Sequence, residues 1–161
     1  MPVHFGKDAT LNNNTGNYAT PVWDPVAAVR DVAITDGEFK EIDASGRDYS
    51  IELSEPGMLK IGIAGKVRMN ESDTDFTALE TAALARTQLD VMILSGPSTV
   101  NGNRGFRFDV KIFKFFEEDQ NIDQILWRPF TMKPCVPTNA PKSVVVSAGA
   151  PAFTTLSLGF A

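Results

Sequence analysis

The sequence predicts a mainly β domain, a sandwich or barrel with one flanking α-helix and extended terminal arms. Three observations carry this. After Pro56-Gly57, Leu59, Ile61, Ile63, Val67 and Met69 share one parity while Lys60, Lys66 and Arg68 share the other, the pattern of a long strand with an apolar and a polar face. Phe106, Phe108, Val110 and Ile112 alternate in the same way with Arg107, Asp109 and Lys111. Between these stretches Phe76, Leu79, Ala83 and Leu84 recur at the spacing of one helix face. A single amphipathic helix cannot bury its stripe alone, so it must lie against the sheet.

Taken in order, residues 1–28 form an amino-terminal arm. Asn12-Asn13-Asn14, Thr15-Gly16-Asn17, Pro21 and Pro25 disfavour regular structure there. Phe5, Tyr18, Val22 and Trp23 punctuate the arm, and aromatic anchors on a polar segment predict that it docks on a surface. The core spans 29–134. It opens with a strand over 29–34 that ends at the Asp-Gly turn of Thr35-Asp36-Gly37 and returns over 39–42. Ser45-Gly46-Arg47-Asp48 marks a further turn. Tyr49, Ile51 and Leu53 then alternate with polar residues until Pro56-Gly57 stops the strand. Gly62 and Gly65 lie inside the long strand, where glycine marks a bend, a bulge or a close backbone approach.

Ser72, followed by Asp73-Thr74-Asp75, supplies a cap and carboxylates for a helix near 73–87. Leu89, Val91 and Ile93 resume strand alternation, and Gly102-Asn103-Arg104-Gly105 makes a hairpin turn into the Phe106 strand. The parity slips at Phe113-Lys114-Phe115-Phe116, which predicts a bulge or burial on both faces. The apolar stretch over 125–132 holds Trp127 and Phe130 but is interrupted by Pro129, which suits an edge strand. Residues 135–161 form a second arm, with Val144-Val145-Val146 between prolines and an apolar alternation at Leu156, Leu158 and Phe160.

Composition narrows the class. At 161 residues, 43% hydrophobic and 22% charged, the chain suits one globular domain. A net charge of -5 argues against phosphate binding as the main activity, because such binding rests on lysine and arginine. A single cysteine excludes a disulfide within the chain. No apolar signal region opens it and no run approaches the ~20 apolar residues of a membrane span, so synthesis in a cytoplasm without membrane insertion is expected.

Nowhere are residues grouped for catalysis. His4 and Cys135 lie at opposite ends of the sequence, and two such residues cannot complete a zinc site. Glu71, Asp73 and Asp75, and likewise Glu117, Glu118 and Asp119, lack the further ligand spacing of a calcium loop. No enzyme activity and no cofactor are expected.

The layout resembles the tail tube (major tail) proteins of long-tailed bacteriophages. The resemblance rests on Phe5-Gly6-Lys7-Asp8-Ala9, on the turn into residues 47–53, and on Pro56-Gly57 before a long strand. It rests further on Ser72-Asp73-Thr74-Asp75-Phe76-Thr77-Ala78-Leu79 with Ala82-Ala83, and on the strand over 105–116. It covers 29–134 in pattern and the arms only in character. It implies six subunits closed into a ring, with rings stacked into a tube around a lumen that conducts DNA. It also implies a place in the virion tail, beside a tape-measure protein and tail-end proteins. Subunit and ring contacts would fall in 1–28, 35–57 and 136–161, with Phe5, Tyr18, Trp23, Phe39, Tyr49, Val145, Phe153, Leu158 and Phe160 as candidates. Lys60, Lys66, Arg107, Asp109 and Lys111 are the lumen-facing candidates, although the family leads one to expect an acidic lumen that repels DNA. Other structural roles compatible with the same chain are the inner tube of a contractile tail or secretion system, a head-decoration protein and a tail-tip protein.

Overall fold

The computed structural model describes residues 8–45, 54–116, 126–135 and 139–156. Within them the chain forms β1 (Thr10–Asn14), β2 (Trp23–Pro25), β3 (Val29–Asp43), β4 (Ser54–Arg68), α1 (Thr74–Ala85), β5 (Leu89–Leu94), β6 (Arg104–Lys114), β7 (Trp127–Pro134), β8 (Lys142–Ser147) and β9 (Ala150–Thr155). The strands join one antiparallel sheet in the order β2-β1-β5-β6-β7-β4-β3. β6 is where the sheet branches. Its first residues, Arg104 to Arg107, pair with β8, whereas Val110 to Lys114 pair with β7; β9 extends the branch by pairing with β8.

The long strand expected beyond Pro56 is β4, and its parity holds where side chains are described. Ile63 and Val67 are buried and Ile61 and Met69 pack beside them, while Lys60, Lys66 and Arg68 are exposed. Its glycines mark close approaches. A Cβ on Gly62 would stand 2.7 Å from the Thr35 hydroxyl, and one on Gly65 would stand 2.8 Å from the Phe130 ring. Lys66 points away from the core, so Lys66→Ser should change the unfolding free energy by no more than about 0.5 kcal/mol in a denaturant titration. A larger loss would mean that its face of β4 is covered.

The main core gathers Ile63, Val67, Val91, Ile93, Phe108, Val110, Phe130 and Met132 from four strands under α1. A second, smaller core lies across the sheet: Met92 and Leu94 meet Val144 and Val146, flanked by Trp23 and Phe153. β5 therefore buries both faces along Val91-Met92-Ile93-Leu94, so it shows an apolar run and not a clean alternation.

The helix expected near 73–87 is α1. Asp73, not Ser72, caps it, its side chain accepting from the Asp75 amide at 2.9 Å. The helix ends at Arg86, whose left-handed backbone (φ 56°) lets its N–H reach the Ala82 and Ala83 carbonyls. Phe76, Leu79 and Ala82 are buried and Ala83 packs beside them, but Leu84 is 68% exposed. The apolar stripe leans toward Ala82, which turns Leu84 outward. Phe76 sits at 1% exposure with its ring centroid 5.9 Å from that of Phe115. Phe76→Ala should cost about 3–5 kcal/mol, read by chemical denaturation; a loss below about 1 kcal/mol would be incompatible with this packing.

Four expectations are corrected. Thr35-Asp36-Gly37 is no turn: β3 runs through it to Asp43, and the register shift between Thr35 and Glu38 shows an irregularity inside one strand. Pro56-Gly57 does not precede β4 but lies within it, where β4 has only β3 beside it among the described residues and a missing N–H is tolerated. β7 is not an edge strand; it lies between β6 and β4. Its pairing with β6 stops at Thr131, so at Pro129 it has one neighbour among the described residues, and the position alone is edge-like. Finally, residues 10–14 are not irregular. β1 sits between β2 and β5 and sends Leu11 into the main core, and β8 sends Val144 and Val146 into the second. Parts of both arms thus belong to the fold. The parity slip after Ile112 corresponds to the register shift between Ile112 and Lys114.

Candidate assembly surfaces

Beyond Ile63, β4 leaves β7, and residues 35–43 and 54–62 continue as a two-stranded ribbon. Both of its edges are unpaired among the described residues. Phe39 is 58% exposed and Ile42 51%, with Ile34 exposed at its root. A lone hairpin is marginal in water, and apolar side chains on it gain nothing from solvent. The register shifts at Arg30/Ala33, Thr35/Glu38 and Phe39/Glu41 twist the ribbon. That twist, with Lys40 and Glu38 along it, discourages indiscriminate edge pairing. The chain thus offers an adhesive projection without a flat sticky edge.

The aromatic candidates divide. Phe39 and Val145 are exposed, as surface contacts require. Tyr18, Trp23 and Phe153 instead converge within the subunit on Arg107. The guanidinium lies 3.8 Å from the Tyr18 ring centroid and 5.0 Å from those of Trp23 and Phe153. It donates to the Tyr18 carbonyl at 3.1 Å and pairs with Asp90 at 2.5 Å. Asn14 also donates to Asp90, at 2.8 Å. One buried cation thereby fastens the loop after β1 and the β8–β9 hairpin to the sheet. Phe5, Tyr49, Leu158 and Phe160 lie outside the described residues.

The lumen candidates divide too. Lys60 and Lys66 are exposed and Lys111 is half-buried. Arg107 and Asp109 are corrected: at 3% and 5% exposure they present no charge to solvent. Their parity is polar, but the β8–β9 hairpin and the loop after β1 cover that end of β6. Asp109 stands directly opposite Asp90 in the β5–β6 register, and the two carboxylates are held by different donors. Asp90 takes Arg107 and Asn14, while Asp109 accepts from the backbone and side chain of Asn139 at 3.0 and 3.3 Å. Sequence reasoning missed Asp90; the available signal was a carboxylate between Leu89 and Val91 in an apolar strand.

Among the described residues the groups considered for chemistry do not converge. Cys135 places its sulfur 3.5 Å from the Gln88 side-chain oxygen and 3.6 Å from the Asp109 carbonyl. His4, Glu117, Glu118 and Asp119 lie outside the described residues. Asp73 serves as the helix cap. Asp75 has its carboxyl pushed above the usual range, first by burial and then by Asp24 and Asp73 nearby, partly offset by the Ala27 amide. Among the described residues no set of three or more histidine, cysteine or carboxylate groups is placed to hold a metal, and no helix is long and apolar enough to cross a membrane.

No protein-family model and no curated protein matches the chain. Solved structures do. The chain superimposes on the SPP1 tail tube with a TM-score of 0.63 at 12% identity, over 94% of this chain and 79% of that one. It superimposes on a chain from the tail of an empty gene transfer agent particle, refined with C6 symmetry, with a TM-score of 0.59 at 15% identity, over 95% and 100% of the two chains. A chain of the native gene transfer agent virion gives 0.57 at 14% identity, over 95% and 100%. The fold is that of phage tail tube proteins, as the sequence predicts.

Proposed function

We propose that this chain is a structural subunit of a phage tail tube, built from stacked hexameric rings around a lumen that conducts DNA during ejection. The observation that carries the reading is the ribbon. A fold shared with the SPP1 tail tube over 94% of the chain carries a projecting two-stranded element whose Phe39 and Ile42 are exposed among the described residues. Such anchors suit burial against another copy, since a few large side chains dominate interface energy. The C6 symmetry of the gene transfer agent tail supports six subunits per ring. Closure of a ring also gives the outer strands β2, β3 and β9 neighbours, which limits open-ended aggregation. In this role the chain resides in the virion tail after assembly in the host cytoplasm, contacts a tape-measure protein and tail-end proteins, and turns over no substrate.

The test is assembly of the purified full-length chain, followed by light scattering and negative-stain microscopy. Rings or tubes about one subunit thick are expected. A single-subunit species that persists at high protein concentration would overturn the reading.

A further inference from the structure

A groove of about 500 Å³ lies where β3 passes the branch of β6 and β8. Its lining is mostly apolar: Val32 and Ile93 are buried, Phe106 is half-buried, and Ile34 and Val145 are each 40% exposed. Ser95, Arg104 and Ser143 supply the polar part. Arg104 is exposed and has no ion-pair partner among the described residues. A cleft of this size suits an aromatic side chain with a charged group beside it.

The ribbon carries such a pair. Phe39 and Glu41 are two residues apart on β3, so their side chains share one face, and both are exposed. Glu41 accepts from the Ser54 hydroxyl and has no ion-pair partner among the described residues. Groove and pair do not meet within one subunit. Val32 and Ile34 lie at the root of the ribbon, and pairing from Thr35 opposite Gly62 to Asp43 opposite Ser54 keeps the ribbon extended. Phe39 stands roughly 16 Å of strand beyond Ile34. It is 58% exposed and does not fill the groove at its own root.

We propose that Phe39 of a second copy fills this groove while Glu41 of that copy pairs with Arg104. The buried ring supplies most of the affinity and the ion pair at the rim fixes the register. Plug and socket are different surfaces of one chain, so the contact is heterologous. A joined pair still carries one free plug and one free socket, and the series ends only by closing into a ring or continues as a stack. The proposal deepens the tube reading by naming the two surfaces that meet. It rests on that reading only for the number of copies joined.

The test is photo-cross-linking of the full-length chain with p-benzoylphenylalanine in place of Phe39. Mixing it with isotope-labelled wild-type chain tells links between copies from links within one. Mass spectrometry maps the linked residues, and negative-stain microscopy scores rings separately. Links between copies to residues 143–145 or 104–106 are expected. Val145→Arg in the labelled chain puts a second cation in the groove and should lower their yield about tenfold. Leu84→Arg, exposed on α1 and outside the groove lining, should change the yield less than about twofold. Ser143→Arg takes the place of Val145→Arg if that variant does not keep the wild-type unfolding midpoint. Links to the groove in a chain that forms no rings sustain the proposal and count against the tube reading. Rings whose links map elsewhere overturn the proposal and leave the tube reading standing. Links within one chain only, no links at all, or a yield unchanged by the groove variant also overturn it.

Discussion

Arg107→Met should lower the unfolding free energy by about 3–5 kcal/mol, the range seen when one partner of a buried ion pair is removed. Arg107 is 3% exposed, and Asp90, half-buried with its side chain 15% exposed, would be left with Asn14 as its remaining side-chain donor. The loss has two sources. Part is the uncompensated carboxylate, whose desolvation no longer has a cation to offset it. Part is the stacking of Tyr18, Trp23 and Phe153 around the guanidinium, which a methionine only partly replaces. The two separate in a double-mutant cycle: Arg107→Met with Asp90→Leu should recover the first part and not the second. Trp23 supplies a local readout, since its fluorescence should shift if the loop after β1 comes away from β6. A loss below about 1 kcal/mol with unchanged Trp23 emission would mean that this cation does not hold the loop after β1 and the β8–β9 hairpin to the sheet.

Arg107 also shows where reading the sequence stops. Alternation along β6 correctly separates Phe108 and Val110 from Arg107 and Asp109, because side-chain period is a local property. Whether the second face meets water depends on what crosses it. Here the cover comes from Tyr18, 89 positions away, and from Phe153. No local pattern carries that information. The same limit hides β5, whose Met92 and Leu94 are buried beneath Val144 and Val146 of β8, with Trp23 and Phe153 beside them. The asparagine cluster misleads for another reason. Asn14 does hold a turn, accepting from the Gly16 and Val22 amides, yet its backbone pairs with Trp23 in a strand. Turn chemistry and strand pairing coexist at one residue. The helix was legible because capping and 3.6-residue spacing are both local; its cap falls one residue later than expected, at Asp73, and Leu84 lies at the margin of the stripe.

Phe39→Thr with Ile42→Thr should abolish rings and tubes while leaving the subunit folded. Threonine keeps the branched side chain that strands favour, so the ribbon can form, but it removes the apolar anchors. Both residues are exposed in the subunit and outside its two cores, so folding should change by about 0.5 kcal/mol or less. Assembly should respond far more strongly. Loss of a central aromatic or aliphatic anchor costs about 2 kcal/mol or more per contact, roughly thirtyfold in affinity, and the loss recurs in every subunit of a ring and every ring of a stack. Thermal unfolding and light scattering on the same sample separate the outcomes. An unchanged unfolding midpoint with only single-subunit particles is the expected result. Unchanged tubes would place the contacts on other surfaces, such as the edges of β9 and β2. A collapsed midpoint would instead mean that Phe39 and Ile42 stabilise their own subunit and that these side chains are not reserved for a neighbour.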